Sequence, residues 1–427
     1  METFWAYLVG VLVIVIGLAL SIGLHELGHF VPAKLFGVKV SQFFIGFGKR
    51  IWSVKRGETE YGVKLIPLGG YVSMQGMYAD AFKDEQEAQT EPTSEPIDEK
   101  RSFFRLKTWQ KLTVMFGGPF MNLVLAVVFY AILLMGFGMP QYTTKISAVS
   151  ECLVSAGASQ TECDPAATPS PAMAAGLEAG DTIVAIDGQP VSEWSQVQSA
   201  INASAGKQIE ISVINDGAEH TLTATPASME RYVTDDAGKV EVDASGAPVT
   251  EEAWMIGLTP AVENVPAPAS AVLPAVGENV SQVFNMILHL PQRMVEIAQA
   301  AFGSEERDVN GPISVLGVGR VAGEVAAADT VPAVAKAQML IGMLASLNVA
   351  LFVFNLIPLM PLDGGHMLAA VYESIRRGLA KLFRKPDPGP VNAAKLVPIT
   401  YAVIAIFGGM SLLLIYADIV KPINLFG

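Results

Sequence analysis

Four runs of about 20 apolar residues dominate this chain, and each is long enough to cross a bilayer as a helix. They lie near residues 4–24, 112–138, 337–360 and 397–417. In lipid every backbone polar group must be satisfied internally, so such runs span as helices rather than loops or open strands. Composition agrees. Of 427 residues, 51% are hydrophobic and 16% charged, against about 25% charged in soluble domains. The expected fold is a multi-pass α-helical membrane protein with four spans. The first run reads as a retained span rather than a cleaved leader. Glu2 is acidic where a leader is basic, and no small-residue cleavage site is clear.

Lys and Arg set the expected orientation. Residues 31–111 hold 13 of the 28, residues 367–396 hold six, and the longer stretch 138–336 holds only eight. The positive-inside rule then puts 31–111 and 367–396 in the cytoplasm. Both termini and the 138–336 region face outward. The net charge of −13 argues against nucleic acid as a partner.

Between the spans the expected organisation is as follows. Residues 1–36 are the first span. Residues 37–78 form a cytoplasmic, membrane-associated β-hairpin, with strands at Ile51–Val54 and Tyr61–Leu65 around a charged turn at Gly57. Residues 79–110 are an acidic cytoplasmic insert, rich in Pro, Glu and Thr over 79–100, with too little apolar surface to fold. The second span covers 111–138. Residues 143–262 make an extracytoplasmic β-rich domain, with hairpin turns at Asp187-Gly188 and Asp216-Gly217 and an acidic loop at 226–253. "WMIGLTP" after that loop is expected to be a closing strand. Residues 263–335 are a linker with an amphipathic helix over 280–303. The third span covers 336–366, a cytoplasmic loop 367–396, and the fourth span 397–417. Cys152 and Cys163 have neither zinc-finger nor C-x-x-C spacing. In an extracytoplasmic segment a small-loop disulfide is expected of them.

The first span ends in "HELGH". Ionisable side chains at membrane depth are costly and mark functional sites. On a helix His25 and His29 share one face at i and i+4, so both can ligate one Zn²⁺. Glu26 beside them suits a general base. Zinc at a catalytic site takes a third protein ligand and keeps one position open. "FNLIPLMPLDGGHML" at the end of the third span offers Asp363 and His366, and spacing does not choose between them. Its prolines and glycines interrupt the helix. At membrane depth that is tolerated only inside protein or along a cavity.

"HELGH", "GGP" with Asn122, and "NLIPLMPLDGG" occur in this order. The β-rich segment 143–262 between them resembles a PDZ domain of bacterial proteases. Together these parts resemble the site-2 protease family of intramembrane zinc metalloproteases, particularly its actinobacterial members. "NGPISVLGVG" at 310–319 also resembles a family segment. The resemblance implies His25, His29 and Asp363 as zinc ligands and Glu26 as catalytic base. It implies Asn355 as a substrate-binding residue, and Asn122 is a second candidate for that role. It implies single-span membrane proteins as substrates, typically a pre-trimmed anti-sigma factor in regulated intramembrane proteolysis. The PDZ-like domain then binds a peptide terminus or filters substrates by size. Some relatives carry two PDZ domains, whereas this chain shows one. Two other classes fit the sequence less well. A catalytically silent PDZ scaffold has no need of Glu26, two histidines and Asp363. A zinc transporter needs ligands along a path through the bilayer, and the spans offer none beyond this cluster.

Overall fold

The computed structural model describes residues 2–77, 99–153, 163, 169–233, 240, 242, 247–303, 307–308, 311–389 and 397–423. The acidic part of the insert at 79–110 and much of the 226–253 loop lie outside these. The chain forms two compact units, residues 1–137 with 267–427, and residues 138–266.

The first unit holds the four apolar helices. Helix α1 runs Glu2–Leu35. Strands β1 (Val40–Arg56) and β2 (Thr59–Met74) follow, and then α2 (Thr108–Ala131), which continues as a wider turn to Phe137. Windows within Thr3–Leu35, Thr108–Phe137, Ala333–Asn355 and Pro398–Val420 are long and apolar enough to cross a membrane.

The hairpin is longer than the sequence suggests, and it doubles back. Gln42–Ile45 pairs with Gly70–Ser73 on one side and with Glu60–Val63 on the other. Residues 50–56 then pair with 59–64. The result is four short antiparallel stretches in the order 70–74, 40–45, 59–64, 50–56. Stretch 70–74 is an edge, with no further strand beside it among the described residues. Phe47, Ile51, Trp52, Leu65 and Ile66 are exposed around the bends, an apolar surface suited to lipid. At the other end Lys34 and Arg101 both bind Glu58, the latter through two bonds of 2.7 and 2.8 Å. These cations hold the Glu58 carboxyl down at about 2. The clamp fixes the β1–β2 turn to the end of α1.

The second unit is built on the sheet β10-β3-β4-β6-β7, with β5 paired to β4. Its elements are β3 (Met139–Val149), α3 (Pro171–Ala175), β4 (Thr182–Ile186), β5 (Gln189–Pro190), α4 (Trp194–Ala203), β6 (Ile209–Asn215) and β7 (Ala218–Ala224). They are followed by β8 (Ala227–Tyr232), β9 (Thr250–Met255) and β10 (Leu258–Val265). Asp216-Gly217 has the double positive φ, 48° and 81°, of a two-residue hairpin turn between β6 and β7. Alternate residues Ile209, Ile211 and Val213 point into a core with Ile183, Ile186, Val197 and Ile201. The unit is wider than the 143–262 window because β3 and β10 pair beyond it at both ends. The flanks of the acidic loop pair as β8 and β9. Cys152 and Cys163 form a disulfide.

The chain then returns to the first unit through α5 (Val272–Leu288), α6 (Leu290–Phe302) and α7 (Val315–Ala327). The single amphipathic helix expected over 280–303 is therefore two. Pro291 has no N–H to give the Ile287 carbonyl, and the ladder breaks at His289. The third span is α8 (Ala333–Asn355), then come α9 (Asp363–Leu382) and α10 (Val397–Val420). Helix α1 packs on α2, α7 and α8, with Ile14, Ala322 and Leu344 buried together. Asp418 near the end of α10 is buried, pairs with Arg307 and accepts from the Ser314 N–H at 2.7 Å. This anchors α10 to the start of α7.

Candidate metal centre

Two close approaches decide where the ionisable residues meet. Helices α1 and α2 cross with Gly28 against Gly117, so near that a Cβ on either would lie within about 2.1 Å of the other's carbonyl oxygen. One residue on, Gly118 faces the imidazoles. A Cβ there would fall 2.3 Å from His29 Nε2 and 2.8 Å from His25 Nε2. The glycines bring a backbone up to the histidines where any side chain would displace them.

The i, i+4 spacing places the His25 and His29 Nε2 atoms 3.2 Å apart. His29 Nδ1–H donates to the Val114 carbonyl of α2 at 2.8 Å, which leaves its Nε2 as a bare lone pair. Asp363 arrives from the other end of the sequence. Pro358 and Pro361 separate α8 from α9, and Asp363 opens α9, where an acid is favoured by the helix dipole. Gly364 and Gly365 let that helix start sit directly on the 356–360 turn. A buried ion pair, Lys111 to Glu373 at 3.1 Å, ties α9 to α2.

The outcome is a triangle of ligand atoms. Asp363 Oδ2 is 3.3 Å from His25 Nε2, and Asp363 Oδ1 is 3.3 Å from His29 Nε2. These three residues are the group able to hold a metal ion among the described residues. Zinc bonds of about 2.0–2.1 Å in a tetrahedron separate ligand atoms by about 3.3–3.4 Å. The His25–His29 separation and the approach of each imidazole to its own carboxylate oxygen have that size, and one ligand atom from each residue lies within 4.8 Å of the others. Two imidazoles and one carboxylate also match a catalytic zinc set, which keeps a position open. Glu26 is adjacent and buried, 9% exposed, and stands outside the triangle. Gly70 of the edge stretch lies over it, where a Cβ would be 2.8 Å from Glu26 Cγ.

Residues 13–385 match Peptidase family M50. The chain belongs to the M50, or site-2 protease, family. It is 32% identical over 423 residues to zinc metalloprotease Rip1 of Mycobacterium tuberculosis (strain Erdman), covering 98% of this chain and 99% of that one. Against Rip1 of Mycolicibacterium smegmatis the identity is 31% over 429 residues, with the same coverage. Metalloprotease MmpA of Caulobacter vibrioides is 27% identical over 386 residues, covering 84% of this chain and 85% of that one. This M50 member is a zinc metalloprotease and a multi-pass membrane protein.

Of the two residues that spacing left open, Asp363 joins the triangle and His366 does not. His366 lies one turn further along α9. Asn355 ends α8 and is half-buried, with its Nδ2 donating to the Leu351 carbonyl at 2.9 Å. Asn122 is wholly buried, one turn beyond Gly118. Sequence reasoning missed Gly70 and Asn348, and it quoted Gly118 within "GGP" without giving it a role. Asn348 is 0% exposed inside α8 and donates to Ser21 Oγ at 3.0 Å, one turn from His25. An amide in the middle of a span was its signal.

Gly118→Ala is predicted to displace the imidazoles and weaken zinc binding about 10–100-fold, the scale of lost support around ligands. Zinc retained after dialysis against a graded chelator measures this. Gly319→Ala in α7, where an added Cβ meets open space, is the matched control and should keep its zinc.

Proposed function

We propose that this protease hydrolyses peptide bonds within the transmembrane segments of single-span membrane proteins. The observation that carries the reading is Gly70 packed on Glu26. It sets a β edge, unpaired among the described residues, beside the candidate base at the end of an apolar helix. A helical substrate hides its carbonyls in i to i−4 bonds, so it must unwind to be cut. Stretch 70–74 offers the backbone donors and acceptors that an unwound segment loses, and the segment adds there as a strand. Asn355 Oδ1 accepts from a freed substrate N–H.

His25, His29 and Asp363 hold the zinc. When bound, zinc supplies a Lewis acid that polarises a carbonyl oxygen and lowers the pKa of coordinated water towards about 7. Glu26 takes the proton of the attacking water and delivers it to the leaving amine nitrogen. Its stem lies against Gly70, which restricts the carboxylate before substrate arrives. Burial keeps bulk water from competing.

The Lys and Arg distribution supports a site near the cytoplasmic face, with both termini and the β-rich unit outside. The Cys152–Cys163 disulfide suits an oxidising compartment. The β-rich unit acts as a PDZ-like filter, admitting substrates whose outer domain has been trimmed. A pre-trimmed anti-sigma factor in regulated intramembrane proteolysis fits that requirement.

The test is cleavage of a single-span substrate by the full chain in liposomes, with new termini mapped by mass spectrometry. Termini inside the apolar segment are expected. Cuts confined to the flanking loops would overturn the proposal.

A further inference from the structure

A metal-ligating histidine needs a partner on its other ring nitrogen, which fixes the tautomer and aims the ligand. His29 has the Val114 carbonyl. His25 Nδ1 is buried with no hydrogen-bond partner among the described residues. Asn122 is 0% exposed, and neither Oδ1 nor Nδ2 has a partner either. Asn348 Oδ1 is a third buried atom in the same condition.

The topology sets these orphans on neighbouring helix turns. Gly118, one turn before Asn122 on α2, reaches His25 Nε2. On any helix the Cα–Cβ bond tilts towards the N-terminus, so the Asn122 side chain leans back over the turn that Gly118 leaves bare. Helix α1 runs the opposite way across it, so His25 leans towards Asn122 from the other side. Asn348 is bonded to Ser21, the residue one turn before His25 on α1. Buried polar groups in natural proteins are satisfied by protein or by an ordered water with two to four partners.

We infer that Asn122 is a positioning residue for His25. Its Oδ1 receives the His25 Nδ1–H through one bridging water, and Asn348 Oδ1 accepts that water's second proton or the Asn122 amide. This holds His25 in the tautomer with Nε2 bare. The inference rests on the three-ligand site proposed above. It differs from a substrate-binding role for Asn122, which would need the amide open to an incoming segment.

The test uses full-length protein in detergent, loaded with zinc or Co²⁺ alone. Asn122→Leu fills the site without a polar atom. It should weaken zinc about 10–100-fold in chelator competition and alter the Co²⁺ visible spectrum. Asn122→Asp, which can still accept from Nδ1–H, should restore both. If Leu does not fold, Asn122→Ala, which also lacks a polar side-chain atom, serves for the same comparison, with helicity as the fold control. A merely structural Asn122 would lower thermal stability and leave metal affinity and spectrum unchanged, which would overturn the inference. Asp363→Ala separates the two levels. Metal lost there but unaffected at Asn122 rejects only the orienting role. Metal retained in Asp363→Ala rejects the site and the inference with it.

Discussion

Glu26→Gln is expected to leave zinc in place and to cut peptide hydrolysis by about 10²–10⁴-fold, the usual worth of a positioned general base. The two effects separate because Glu26 stands outside the ligand triangle while touching its neighbourhood. Gln has the same shape, so the contact between the side-chain stem and Gly70 survives. The amide cannot take a proton from water at neutral pH, so substrate still binds while turnover falls. Metal content by mass spectrometry and cleavage of the liposome substrate are measured on the same preparation. Turnover equal to that of the unaltered protein would remove Glu26 from the mechanism.

Asp363→Ala has the second large effect. Two imidazoles alone leave the metal with half of a four-coordinate shell, and the remaining histidines sit where a full carboxylate had faced both. Zinc content is expected to fall from about one per chain to background after dialysis. His366→Ala, one turn along the same helix, should keep its zinc. This contrast matters because the two residues are three positions apart and equally plausible by spacing. If His366→Ala lost the metal and Asp363→Ala kept it, the ligand set would be wrong.

The spans were legible because crossing a bilayer needs a long apolar run, a local property of sequence. "HELGH" was legible because a helix turns the i, i+4 spacing into one face. Spacing offered Asp363 without choosing it, since His25 and His29 are more than 330 residues away, and the family resemblance made the choice. What escaped is what depends on three-dimensional approach. Gly70, Gly117 and Gly118 matter for the side chains they lack, and nothing in "LGGY" or "FGGP" says which backbone comes close. The hairpin shows the same limit. Its strands extend to 17 and 16 residues and pair on both sides of Gln42–Ile45, a register set by bends rather than by alternation. The break at Pro291 was readable in principle. The apolar pattern across 280–303 continues through it, and the missing N–H still splits the helix. Asn348 carried a visible cost, but its partner Ser21 lies 327 residues earlier.

The most direct measurement is zinc-edge X-ray absorption on the purified full chain, together with its metal content. The account predicts about one zinc per chain, a first shell of nitrogen and oxygen at about 2.0–2.2 Å with two imidazoles and no sulfur, and loss of that signal in Asp363→Ala. Sulfur in the first shell, or the same spectrum in Asp363→Ala, would contradict it.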